Sequence, residues 1–192
     1  MYFDSYEEHI YAMNNHNVVL LAAPEVQDEE FIYPYYRIQE EFDIGLFVCS
    51  VTEETVYGKY GIPMKPNISL DKILGIIEKI DAVIIPGGWG PEKMRMDLRV
   101  LTLVKSLHKD NKILSAVCHG PQVLISAEVL KGKNVTGYKG IRDDLENCGA
   151  SYQDKNLVVD GNIITAPHYR NNPEWMRATI KAIHELPKRK NN

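Results

Sequence analysis

Residues 113–121, Ile113-Leu114-Ser115-Ala116-Val117-Cys118-His119-Gly120-Pro121, decide how this chain is read. Ile113 to Val117 is short and nearly all apolar, the pattern of a strand buried on both faces. An apolar helix follows at once, so Cys118 falls on a sharp strand-to-helix turn. Ala116 and Gly120 stand two positions either side of it, where larger side chains would obstruct the turn. That is the layout of a nucleophile elbow. A thiol there faces the positive end of the following helix, which favours the thiolate, with pKa values of roughly 3.5 to 7.5 at comparable sites.

Working outward, Asp81 to Ile85 is a second buried strand, broken by Pro86-Gly87-Gly88. One helix, capped by Asp97 and carrying Val100, Leu103, Val104 and Leu107 on one face, joins the two strands. A right-handed crossover makes them parallel, so the glycine turn and Cys118 emerge at the same sheet edge. Gly88 can turn a backbone N–H toward the sulfur, with the amide of His119 as its partner in an oxyanion hole.

The same alternation runs along the rest of the chain. Asn17 to Ala22 and Ile44 to Val48 read as strands, with a helix between them marked by Phe31, Tyr35, Ile38 and Phe42. Pro34 either begins that helix or kinks it. Val56 to Met64 reads as a hairpin excursion, and Ser69 as the cap of a helix carrying Ile73, Ile76, Ile77 and Ile80. Val158 to Ala166 is a hairpin turning at Asp160-Gly161. Asn172-Pro173 starts a last helix with Met176, Thr179, Ile180 and Ile183 inward, stopped by Pro187. Repeated strand–helix–strand units predict an α/β domain with a mostly parallel sheet covered on both faces. The expected organisation is an extension over 1–16 (Phe3, Tyr6, Ile10 and Met13 at helical spacing), one domain over 17–187 and a basic tail over 188–192.

Composition narrows the function. The chain has 192 residues with 22 Lys plus Arg against 26 Asp plus Glu, a net charge of −4. That balance speaks against nucleic acid as a partner. The longest apolar run, Val18 to Ala23, is far short of the ~20 residues of a membrane span. No signal peptide is evident, and three cysteines without a C-x-x-C pair suit neither a disulfide framework nor a zinc site, so the cytoplasm is the expected compartment. Cys49 reads as a core residue and Cys148, near a helix end, as structural. His119 follows the cysteine, and adjacent side chains on an elbow are expected to diverge. Glu92 is a candidate partner for it, while Trp89 and His168 are candidates for the pocket wall. His9, His16, His108 and His184 show no metal-ligand spacing, and neither metal nor cofactor is expected.

Taken together, these segments resemble the ThiJ/PfpI family of the class I glutamine amidotransferase-like superfamily, and most closely its PfpI intracellular peptidase branch. The resemblance rests on Phe31-Ile32-Tyr33-Pro34-Tyr35, Ile85-Pro86-Gly87-Gly88, Ala116-Val117-Cys118-His119-Gly120-Pro121, Ile141-Arg142-Asp143-Asp144-Leu145 and Val158-Val159-Asp160-Gly161-Asn162. It implies a flavodoxin-like three-layer sandwich with Cys118 as nucleophile. It also implies a homo-oligomer in which His119 pairs with Glu92 of a neighbouring subunit. The implied activity is a cysteine hydrolase acting on a peptide, or on a small carbonyl compound as glyoxalases and deglycases do. An oxidisable, non-catalytic stress sensor is the alternative, and an inactive paralogue a third. Three departures stand out. Aligning on Ile32-Tyr33-Pro34-Tyr35 places Gln27 where the family has a glutamate supporting the thiolate, which disfavours the glyoxalase and deglycase variant; Glu25 is a possible substitute. Trp89 stands where a basic residue is expected, and Thr165-Ala166-Pro167-His168 stands where the family tends to Ser-Arg.

Overall fold

Every residue of β1 (His16–Ala22) is buried, because the strand runs through the middle of the sheet. Each fully buried aliphatic side chain there contributes about 1.5–3 kcal/mol relative to exposure. The computed structural model describes residues 15–188, so the readings made for the N-terminal stretch and for Arg189-Lys190 lie outside the described residues.

Helix α1 (Asp28–Gln39) follows, and Pro34 sits inside it rather than at its start. Its buried face is Asp28, Glu30, Phe31, Pro34 and Ile38. The stripe expected from Phe31, Tyr35, Ile38 and Phe42 is therefore rotated: Phe42 lies past the helix end and is 99% exposed. The rotation brings a glutamate, Glu30, onto the core side. Then come β2 (Ile44–Ser50), the small antiparallel pair β3 (Val56–Tyr57) and β4 (Pro63–Met64), and β5 (Ile68–Ser69). The Ser69 hydroxyl caps α2 (Leu70–Gly75) by accepting from Lys72 N. This helix stops at Gly75 and a separate 3-10 turn follows, so of the four isoleucines expected inward only Ile73 and Ile80 are fully buried.

Strand β6 (Ala82–Ile85) leads into the short α3 (Gly90–Met94) and then α4 (Leu98–Lys109), whose cap Asp97 accepts from Arg99 N at 2.9 Å. Val100, Leu103, Val104 and Leu107 form the buried stripe of α4. Strand β7 (Ile113–Val117) is wholly buried and feeds α5 (Pro121–Ser126). Beyond it, β8 (Asn134–Val135), α6 (Arg142–Asn147) and β9 (Ser151–Tyr152) make a small satellite layer. Strands β10 (Val158–Asp160) and β11 (Ile163–Ala166) form the hairpin, and α7 (Asn172–His184) closes the chain, burying Trp175, Met176, Thr179, Ile180 and Ile183.

The seven-stranded sheet has the order β10-β11-β7-β6-β1-β2-β5, parallel except for β10. Helices α1 and α7 pack together on one face, and α2, α4 and α5 lie on the other, giving a flavodoxin-like sandwich. Strand order reverses between β1 and β6, and such switch points open a crevice beyond the carboxyl ends. Cys118 directly follows β7, the strand beside β6. No helix among the described residues is long and apolar enough to cross a membrane.

Candidate active site

Three loops meet at that crevice. The loop after β1 is laced to the glycine turn after β6 by an isolated bridge between Val26 and Gly88. Gln27 N donates to Gly87 O at 3.2 Å and Trp89 N to Glu25 O at 2.9 Å. The lacing is close enough that only glycine fits. A Cβ on Gly88, whose φ is +72°, would stand 2.4 Å from Gln27 N. A Cβ on Gly87 would stand 2.6 Å from Cys118 Cβ and 2.7 Å from both a Glu30 carboxyl oxygen and His119 N.

Cys118 itself has φ +59°, a left-handed conformation that costs a non-glycine residue about 1–3 kcal/mol. The surroundings hold it there. Cys118 N donates to Ala166 O at 2.9 Å, Tyr138 N donates to Cys118 O at 2.9 Å, and Gly120 N donates to Val117 O at 2.7 Å. Gly120 is needed because a Cβ would meet Ile85 O at 2.4 Å. The amides of Gly88 and His119 both direct their N–H groups at the sulfur. The turn therefore brings together the thiol, Gly88 and His119 at one point.

The carboxyl at the sulfur belongs to Glu30, not to the residue expected from sequence. Glu30 is fully buried, its Oε2 accepts from Gly87 N at 2.8 Å, and its carboxyl lies against the Cys118 thiol. Gln27 does not support the sulfur: its amide Nε2 donates to Glu29 at 2.7 Å. The physical reason is the position of the helix start. Gln27 is extended backbone just before α1, whereas Glu30 lies inside the first turn on the face carrying Phe31, Pro34 and Ile38. A glutamate in register with Pro34 and Ile38 at i, i+4 spacing was the signal available in the sequence. Glu25, the suggested substitute, is taken up by Lys93.

Burial sets the protonation of this pair. Glu30 is pushed up to about 7, chiefly by desolvation, with the Gly87 amide and Cys118 pulling it back. The Cys118 thiol is pushed up to about 12, first by burial and then by the charge of Glu30, against the pull of the Gly88 and His119 amides. The lowered thiol pKa expected from the helix start is thus overturned. Only 8% of the residue is exposed, and a six-residue helix does not offset that desolvation. When Glu30 is protonated, one of the two opposing contributions disappears and the sulfur gains a donor.

His119 also differs from expectation. Its Nδ1 lies 3.3 Å from Cys118 Sγ instead of pointing away, because the left-handed turn at Cys118 keeps the two side chains together. The imidazole stacks on Tyr138 with centroids 4.6 Å apart. Burial lowers its pKa, the charge of Glu92 opposes that shift and the charge of Lys59 adds to it. Glu92 is exposed on α3 and, among the described residues, makes no hydrogen bond to His119 within the chain.

The two wall candidates part company. Trp89, directly after Gly88, is half exposed, with the Lys59 ammonium 4.7 Å from its ring centroid. His168 caps the turn after β11, its Nδ1 accepting from Arg170 N at 3.3 Å, and burial lowers its pKa. Cys49 is fully buried with its thiol pushed up to about 12, and Cys148 donates to Leu145 O at 3.1 Å. Among the described residues, Glu41, Asp43 and His184 have donor atoms close enough for a metal ion. They lie beside the amino end of β2, and ion pairs account for them: His184 with Asp43 at 3.2 Å, and Arg37 with Glu41 at 2.7 Å.

Deglycase PfpI of Pyrococcus furiosus is 36% identical over 86% of this chain and 98% of that protein. Protein/nucleic acid deglycase 2 of Escherichia coli is 30% identical over 86% of this chain and 96% of that one. Among solved structures, Drosophila melanogaster DJ-1beta superposes with a TM-score of 0.81 at 28% identity, covering 90% of each chain. The model of the DJ-1/PfpI family matches residues 16–182, nearly all of the described fold, and this chain belongs to that family.

Proposed function

We propose that this protein is a cysteine-dependent enzyme of the deglycase type, acting on small carbonyl compounds or their adducts with amines. The observation that carries the reading is Glu30, a buried carboxyl pushed up to about 7 and held against the Cys118 thiol. A general base works best with a pKa near the operating pH, and a thiol needs such a base to attack. In the reaction, Glu30 takes the thiol proton as the sulfur forms a bond to the carbonyl carbon. The π pair moves to oxygen, where the amides of Gly88 and His119 receive it, and Glu30 returns the proton. His119, 3.3 Å from the sulfur and held toward its neutral form by burial, with the charge of Glu92 opposing that shift, orients the thiol and supplies a second proton route. Glu92 of the same chain acts on His119 only through its charge, and a hydrogen-bonded Glu92 would be supplied by a neighbouring subunit of a homo-oligomer, as the family resemblance implies.

With Glu30 in place, the objection raised by Gln27 against glyoxalase and deglycase chemistry no longer applies. The names of the relatives support the same class. The test is a parallel assay of methylglyoxal, a glycated amino acid and a chromogenic peptide with wild type, Cys118→Ser and Glu30→Gln. Turnover of the first two, lost in Cys118→Ser and strongly reduced in Glu30→Gln, is expected. Full activity in Cys118→Ser, or turnover of the peptide alone, would refute the proposal.

A further inference from the structure

Lys59 is placed by the same lacing that builds the site. Its backbone N–H donates to Val26 O at 2.9 Å, and Val26 is the residue bridged to Gly88. The β3–β4 hairpin that carries it is pinned from below by Asp28, which is 2% exposed. That carboxylate accepts from Tyr60 N at 2.8 Å and from Ile62 N at 3.0 Å. Gly58 is pressed onto it so closely that a Cβ would lie 2.4 Å from Asp28 Oδ1. The origin of the Lys59 side chain is therefore fixed relative to the glycine turn.

The ammonium of Lys59 lies 4.7 Å from the ring centroid of Trp89 and 5.5 Å from that of Tyr60. Among the described residues it pairs with no carboxylate, whereas nearby Lys93 is occupied by Glu25. An exposed cation–π contact is worth only about 0.5–1 kcal/mol. It positions the charge without neutralising it. That charge reaches His119 at the sulfur, and Trp89 is the residue directly after Gly88. The carboxylates of the adjoining segments have other partners: Asp28 accepts from Tyr60 N and Ile62 N, Glu25 pairs with Lys93 and Glu29 accepts from Gln27, while the charge of Glu92 acts on His119.

We infer that Lys59 over Trp89 is a carboxylate-recognising subsite at the mouth of the Cys118 pocket, so that the preferred substrates are small carbonyl compounds bearing a carboxylate near the carbonyl. This rests on the enzyme reading above. A carbonyl held by the Gly88 amide projects its substituents past the next residue, Trp89, where the Lys59 ammonium stands with no carboxylate partner among the described residues.

Alkylation of Cys118 tests the subsite without any turnover. Iodoacetate and iodoacetamide are attacked by the sulfur in the same way, with loss of iodide, and differ in carrying a carboxylate or a neutral amide. The rates are read at Cys118 by peptide mass spectrometry. Lys59→Met is expected to lower the iodoacetate-to-iodoacetamide rate ratio by roughly fivefold, with Lys59→Arg retaining it and high salt erasing the preference. An unchanged ratio in Lys59→Met overturns the inference. So does an equal slowing of both reagents, since Lys59 would then act on the thiol rather than on the approaching anion. If Cys118 of the wild type reacts with neither reagent, the enzyme reading fails and takes the subsite with it.

Discussion

Cys49 and Cys118 are both buried, one near the end of β2 and the other just past the end of β7, and burial pushes both thiols up to about 12. Depth alone does not distinguish them. What differs is the company each keeps. Cys49 lies within a regular strand, and the charges acting on it (Arg99, Asp71 and Asp97) come from a surface ion-pair group. Cys118 stands at a positive φ beside the strand-order reversal, with two amides, a carboxyl and an imidazole around its sulfur. A thiol in this fold becomes chemically useful through polar groups delivered by other strands' loops, not through exposure.

The largest effect expected from this contrast is on turnover. Cys118→Ser should lower kcat/KM by on the order of 10⁴-fold or more, while Cys49→Ala leaves it within about twofold. Steady-state assays of both variants on one substrate decide whether the two thiols differ as described.

Next is the proton partner. Glu30→Gln should lower the rate by about 10²–10⁴-fold, the usual range for a lost general base. Its effect on stability has the opposite sign. Because the folded pKa is about 7 against a model value of 4.5, ionisation of Glu30 destabilises the fold increasingly as pH rises from 4.5 to 7. Glu30→Gln should therefore match wild type near pH 4.5 and exceed it by about 3 kcal/mol at pH 8. Urea denaturation at the two pH values checks this, and equal differences at both would contradict the buried, raised carboxyl.

Gly87→Ala should come third. The added Cβ would stand 2.7 Å from His119 N and displace an oxyanion donor, a loss of about 10²–10³-fold, with about 1–3 kcal/mol of overpacking. Kinetics combined with thermal unfolding separates the two contributions. The smallest effect belongs to Cys49→Ala, a loss of about 1 kcal/mol from the small cavity left behind in β2.

Much of the layout was legible in the residues. Strands β1, β2, β6 and β7 announced themselves as short apolar runs, and Asp97 and Ser69 capped the helices they were expected to cap. Gly87 and Gly88 were recognisable as a turn at the sheet edge that carries Cys118. Counting from Ile32-Tyr33-Pro34-Tyr35 nevertheless stopped at Gln27, because a linear register ignores which side of a helix a residue occupies. The rotation of α1 that buries Glu30 and leaves Phe42 in solvent depends on where α7 packs. The approach of His119 to the sulfur depends on one backbone angle at Cys118.

By itself the sequence determined the alternation of strands and helices, the cysteine on its elbow and the glycines beside it. These follow from local periodicity and from the steric demands of tight turns, which neighbouring residues settle among themselves. Only the tertiary structure decided that Glu30 shares the sulfur, that both groups hold their protons more tightly than in water, and that Lys59 stands over the ring of Trp89. Those properties come from desolvation and close approach among segments far apart in the chain, and no short stretch of residues contains them.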